Sequence, residues 1–263
     1  MSAPAPRFSS RLPPPPPDNE LARAWARRKA AGLERLDLAD SNPTRVGASF
    51  PEPDLLAALG DGANARYEPD PRGLFRAREA IAARVAREGP GEGFDAERIF
   101  SAASTSEGYS WLFKLLCDPG DAVAVPRPGY PLFDYLAGLE AARAVPYRLE
   151  YAHPRGWSVD LDSLEAALAS GGVKAVVLIN PNNPTGSYVG GAEREAVVAL
   201  AERHGAALVV DEVFRPYALE AEAAPSFAFE ERAPVFVLDG MSKLAGSPQL
   251  KLGWIALAGP PAW

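Results

Sequence analysis

The chain has 263 residues, 47% of them hydrophobic, and its 27 basic and 34 acidic side chains leave a formal charge of -7. That is enough apolar material for a large α/β core, and an acidic balance without blocks of like charge gives no footprint for nucleic acid or an anionic membrane surface, so the expected partners are small molecules. One cysteine, Cys117, and two histidines, His153 and His204, exclude a disulfide framework and a Cys/His zinc site, so no metal is expected and a reducing cytoplasm is.

Residues 1–17 hold the proline run Pro13 to Pro17 but no apolar stretch with a cleavage site, so they read as a Pro-rich disordered arm and not as a secretory signal. Asp18 is the expected N-cap of a helix with Leu21, Ala24, Trp25 and Ala31 near helical spacing, closed by Gly32. Leu36 and Leu38 then lead into a turn cluster, Asp40-Ser41-Asn42-Pro43-Thr44. Helices are expected from Asp54 to Leu59 and from about Leu74 to Glu88.

From Arg98 onward strands and helices alternate. The expected strands are Ile99 to Ala102, Ala122 to Val125, Val145 to Leu149, Val173 to Ile179, Ala206 to Val210, Pro234 to Leu238 and Leu252 to Leu257. Helices are expected from Ser106 to Cys117, from Tyr130, from Leu161 to Ala169 and from Ala192 to His204. This rhythm specifies an α/β fold with a mostly parallel sheet, and the almost wholly apolar Val173 to Ile179 suits a strand covered on both faces.

Chemistry-bearing residues fall at the ends of these strands, where open α/β sheets place ligands. Ser104-Thr105-Ser106-Glu107 opens a helix, as an anion site or as a plain N-cap. Pro126 to Pro131 presents Tyr130, which alone would read as packing. Asn180-Pro181-Asn182-Asn183-Pro184-Thr185-Gly186 combines prolines that fix the backbone with projecting amides, more constraint than a turn needs. Asp211-Glu212 follows an apolar strand, and by itself is ambiguous. The stretch Gly240 to Trp254 gathers Ser242, Lys243 and Lys251 among glycines, between two strands.

As an ordered set these motifs resemble the fold-type I pyridoxal phosphate enzymes, and the class I/II aminotransferases in particular, from about Leu36 to Trp263. The resemblance implies that Lys243 forms a Schiff base with pyridoxal 5'-phosphate and moves the substrate proton, and that Asp211 pairs with the pyridinium N–H. It implies that Asn183 donates to the phenolate oxygen, that Tyr130 stacks on the ring, and that Thr105, Ser106, Ser242 and Lys251 hold the phosphate. Tyr67 matches a tyrosine that reaches the partner subunit's phosphate, which implies a homodimer, and Ser41 with Asn183 matches the substrate-binding positions. The implied activity is transfer of an amino group between an L-amino acid and a 2-oxo acid. The readings beside it are a carbon-sulfur lyase on the same cofactor and an inactive, truncated cofactor-binding domain.

The resemblance also implies a three-layer large domain over 49–263, incomplete at its C-terminus, with the small domain missing. Residues 18–48 are then a segment that would pack with that small domain. The carboxylate-gripping arginine of relatives lies beyond Trp263, and no local motif names the amino acid. Arg45 and Arg127 stand near the expected site, where an acidic substrate side chain or solvent could meet them.

Three positions depart from the family pattern. Gly240 replaces a hydroxyl residue and Lys251 replaces an arginine, so the phosphate site loses a ligand and a bidentate fork. Phe214 stands where relatives have a tyrosine that gives the phenolate a second hydrogen bond. Since that bond favours the ionised phenolate and the unprotonated Schiff base, Phe214→Tyr is expected to lower the pH midpoint of the visible cofactor band. A spectrophotometric titration with no downward shift would contradict this.

Overall fold

The computed structural model describes residues 9–12, 17–34, 45, 50–91, 93–217, 219 and 225–260; Pro13 to Pro16, Ser41 and most of 35–49 lie outside these. Helices α1 (Glu20–Ala30) and α2 (Glu52–Leu59) precede α3 (Phe75–Arg87). Then β1 (Ile99–Ala102), α4 (Thr105–Leu116), β2 (Ala122–Arg127) and α5 (Phe133–Leu139) lead into a hairpin of β3 (Arg143–Ala152) and β4 (Gly156–Val159). The remainder is α6 (Leu161–Ala169), β5 (Val173–Ile179), α7 (Gly191–His204), β6 (Ala207–Asp211), β7 (Val235–Gly240), the single turn α8 (Met241–Leu244) and β8 (Gly253–Ala258).

The strands form one 8-stranded sheet in the order β1-β8-β7-β6-β5-β2-β3-β4. Its centre, β7-β6-β5-β2-β3, is parallel, while β8 runs antiparallel to both β7 and β1, and β4 antiparallel to β3. The chain moves outward to β3 on one side of β2 and outward through β5, β6 and β7 on the other. The order therefore reverses between β2 and β5, where strand C-termini open a crevice for ligands. Because β8 is antiparallel, Gly253 at its start lies opposite both Gly240 at the end of β7 and Ala102 at the end of β1.

Alternation along the strands sorts the core into two layers. Val176, Leu208, Val210, Val235 and Val237 pack against α3, α6 and α7. Val177, Val209, Phe236 and Leu238 pack against Tyr109 and Phe113 of α4 and Phe133 of α5. Helix α4 lies so close to the sheet that a Cβ on Gly108 would come within 2.6 Å of Leu238 Cδ2.

Three local expectations are corrected. Asn19, not Asp18, caps α1, its side chain accepting from Ala22 N at 2.8 Å. Helix α5 begins at Phe133 and not at Tyr130, after a turn at Pro131-Leu132. The hairpin strand β4 was not foreseen: Gly156 at φ 85 turns the chain, but Trp157 and Ser158 are exposed, so the strand lacks an apolar signature.

The interior also holds an ionisable group. Asp239 of β7 is 7% exposed, accepts from Gly240 N at 2.6 Å and faces Arg84 Nε of α3 at 3.7 Å. Burial pushes its carboxyl up to about 8; the Gly240 N–H and Arg84 oppose the rise, and Glu88 and Glu212 add to it. An unfolded aspartate titrates near 3.8, so between that pH and about 8 the unfolded state binds fewer protons than the folded one, and stability falls as pH rises. Asp239→Asn keeps the acceptor oxygen and should flatten that fall in urea unfolding measured from about pH 5 to 8. An undiminished slope would contradict the assignment.

Candidate active site

The C-terminal edge of the sheet gathers most of the residues singled out above. Asp211 closes β6 and points into the α4 layer, where the Tyr109 hydroxyl donates to its Oδ2 at 3.2 Å and Val213 N to its Oδ1 at 3.1 Å. Burial pushes its carboxyl up to about 6, opposed by those two donors and by the charge of Lys243, and reinforced by Glu212. Burial also raises the Tyr109 hydroxyl well above its ordinary value, which keeps it a donor. Next in the same layer, Phe133 meets Tyr109 edge to face at 5.4 Å and Tyr130 at 5.8 Å. This aromatic row brings Tyr130 near enough to Asp211 for the carboxylate to help raise its hydroxyl pKa, after burial.

The loop after β5 is pinned at both ends. Asn180 N donates to the Asp211 carbonyl at 2.8 Å, and Asn180 Oδ1 accepts from Val189 N at 2.8 Å. Within it, Asn182 Nδ2 donates to Thr185 Oγ1 at 2.8 Å and to Pro128 O at 3.3 Å, tying this loop to the one that carries Tyr130. Asn182 Oδ1 is buried without a hydrogen-bond partner among the described residues. Asn183 is half-buried and lines a cavity of about 1000 Å³, together with Trp157, Tyr188, Phe214 and Tyr217. Asp211, Tyr130 and Lys243 are not in that lining, whereas Phe214 and Tyr217, which contact Lys243, are.

Lys243 lies on α8, directly after β7. Its Nζ stands 5.6 Å from the centre of the Phe214 ring, and its carbonyl accepts from the Tyr217 hydroxyl at 2.6 Å. Both contacts come from the segment just after Asp211, so one stretch of chain touches the lysine by side chain and by main chain.

Thr105 and Ser106 form the first turn of α4, where helical N–H groups have no intrahelical partner. Ser104 caps it by accepting from Glu107 N at 3.2 Å, while Glu107 Oε2 accepts from Ala103 N at 2.6 Å. Gly253 allows β8 to approach: a Cβ there would lie 3.0 Å from Ser104 C and 3.2 Å from Thr105 N. Gly240 is compelled in the same way, since a Cβ on it would sit 2.9 Å from Leu252 O. A side chain at this position is thus excluded by backbone. Lys251 is exposed and adopts φ 55, a left-handed conformation that non-glycine residues enter at a cost. Ser242 is half-buried.

Not every candidate joins this cluster. Tyr67 is 90% exposed, Ser41 lies outside the described residues, and Arg127 is paired with Asp134 at 2.7 Å. Conversely, sequence reasoning passed over Tyr109 and Tyr217. Tyr109 could have been found, since it stands four residues after Thr105 and shares that helix face. No group of His, Cys, Asp and Glu able to hold a metal occurs among the described residues, and no helix among them is long and apolar enough to cross a membrane.

The chain is 31% identical over 194 residues to nicotianamine aminotransferase 1 of Oryza sativa, covering 72% of this chain and 37% of that protein. It is 30% identical over 241 residues to alanine aminotransferase of Mycobacterium tuberculosis, covering 89% and 54%, and 32% identical over 210 residues to an S-alkyl-thiohydroximate lyase of Arabidopsis thaliana, covering 78% and 44%. An aminotransferase structure from Escherichia coli superposes with a TM-score of 0.81 at 26% identity, covering 98% of this chain and 63% of that one. The chain thus spans about a third to a half of the length of these curated relatives. The model describing "Aminotransferase class I and II" matches residues 35–259, and the chain belongs to that family.

Proposed function

We propose that this chain is the cofactor-binding large domain, residues 49–263, of a pyridoxal phosphate-dependent aminotransferase that moves an amino group between an L-amino acid and a 2-oxo acid. The observation that carries the reading is the buried Asp211 carboxyl, pushed up by burial and set near the charge of Lys243 at a strand-end crevice. A buried acid of this kind is stabilised by a cation, and a pyridinium N–H supplies one. The donor set fits the rest of the cofactor: an aromatic ring at Tyr130, an amide at Asn183, and at the α4 end free N–H groups with Thr105 and Ser106, near a glycine that leaves room.

When bound, pyridoxal phosphate supplies a sink for the electrons left at the substrate Cα. Lys243 Nζ would carry the aldehyde carbon and, once displaced by the substrate amine, take the Cα proton and return it to the cofactor C4′. Asp211 would keep the ring nitrogen protonated, with Tyr109 and Val213 holding the carboxylate in line. Tyr130 would fix the ring plane and Asn183 would donate to the phenolate oxygen, while Ser242 and Lys251 would join α4 at the phosphate. Phe214 would cover the side where relatives place a hydroxyl. Tyr67, exposed here, would complete the site of a second copy, making the enzyme a cytoplasmic homodimer. Ser41 would meet the substrate carboxylate, within an N-terminal segment, 18–48, that packs against a smaller domain.

The likeness to a lyase keeps a second reading open, β-elimination at a carbon-sulfur bond on the same cofactor. A half-reaction assay separates the two. L-alanine is expected to convert the visible cofactor band to that of pyridoxamine phosphate, and Asp211→Ala to slow this by at least about 100-fold. Pyruvate and ammonia released from cysteine conjugates, without band conversion by any amino acid, would overturn the transaminase reading in favour of the lyase.

A further inference from the structure

Behind the candidate site, on the opposite face of the sheet, runs a chain of acidic and basic side chains. Asp239 Oδ2 faces Arg84 Nε at 3.7 Å; Arg84 Nη2 lies 2.8 Å from Glu88 Oε1, one helical turn further on, but off the line of a hydrogen bond; Glu88 Oε2 accepts from Arg215 Nε at 3.0 Å. Arg215 Nε lies 4.0 Å from Glu212 Oε2, and its Nη1 donates to the Tyr188 hydroxyl. Glu212 is held in turn by Ser226 Oγ at 2.7 Å and Phe227 N at 2.9 Å. Asp239, Glu212 and Arg215 are all buried.

The ends of this chain lie in segments that carry candidate cofactor residues. Asp239 precedes the turn that holds Lys243, Glu212 follows Asp211, and Tyr188 belongs to the loop of Asn183. Strand alternation explains the arrangement. Asp211 and Glu212 are consecutive, so when one faces α4 the other faces α3; likewise Asp239 shares the α3 side with Val235 and Val237. Ion pairs that are wholly or partly buried, as these are, add little net stability, because desolvation offsets their attraction, yet they require one geometry to remain paired. That makes registration of the loops, more than stability, the natural consequence of keeping them.

We propose that Arg84, Glu88 and Arg215 are positioning residues: as one ion chain they fix the strand ends of β5, β6 and β7 relative to one another, and so set where Lys243 stands against Asp211 and Asn183. The functional weight of this rests on the cofactor reading above, but the tethering does not. None of the three would touch substrate or cofactor; they act through Asp239, Glu212 and Tyr188.

Hydrogen exchange on the chain without cofactor tests it. Glu88→Gln, which preserves side-chain length, and Arg84→Met are expected to speed exchange by about tenfold in residues 240–246 and in 212–217, leaving β3 and α6 unchanged. Arg84→Lys should restore part of the protection. Faster exchange confined to α3, or a uniform increase across the whole sheet, would overturn the proposal. If Arg84→Met does not fold, Glu88→Gln carries the test alone. With pyridoxal phosphate added, the pH midpoint of the visible band should also move in Glu88→Gln. A chain that never shows that band would sink the proposed function, while the exchange result would still decide the tether.

Discussion

The burial of one carboxyl organises the candidate site. Asp211 stands at the end of a strand with apolar layers on both sides, and α4 covers it so closely that a single hydroxyl, from Tyr109, and one backbone N–H satisfy it. An acid in that position is costly to ionise without a cation nearby. The surrounding structure can be read as what keeps a cation available: Lys243 on the next strand end, and an aromatic row that reaches from Tyr109 through Phe133 to Tyr130.

The sheet makes this arrangement possible by polarity alone. Parallel β2, β5, β6 and β7 deliver the Tyr130, Asn183, Asp211 and Lys243 segments to one edge, and β8, entering in the opposite sense, brings Lys251 and Gly253 to the same edge. Glycine is then required where backbones converge. Gly253 lies against the start of α4 and Gly240 against Leu252, so the tight approach of β8 leaves no room for a side chain at either. The two opposed faces of the strand ends divide the work: acid and aromatic residues towards α4, a chain of acidic and basic side chains towards α3.

Much of this was legible in the sequence, for identifiable reasons. Val173 to Ile179 is apolar apart from Lys174 and lies between Gly171-Gly172 and Asn180-Pro181, and it forms β5 with those bounds; Leu161 to Ala169 likewise forms α6. The site motifs stood out because strand-end loops have no core-packing reason to carry paired asparagines or a lysine among glycines. What could not be read was pairing across long separations. Arg84 and Asp239 look like an ordinary helix-surface cation and a strand-end acid until the fold places one over the other. Tyr217 reads as a loop aromatic, and only its contact with the Lys243 carbonyl gives it a place near the site. Strand β4 was missed because its central residues are exposed, so alternation has no apolar side to reveal.

The central claim is that folding brings one particular amine within covalent reach of a pyridoxal phosphate aldehyde. Borohydride reduction of the chain with pyridoxal phosphate, followed by peptide mass mapping, measures this directly. The account predicts a phosphopyridoxyl group on Lys243 in high yield and none on Lys251 or Lys174; an unmodified Lys243, or label spread evenly over the lysines, would contradict it.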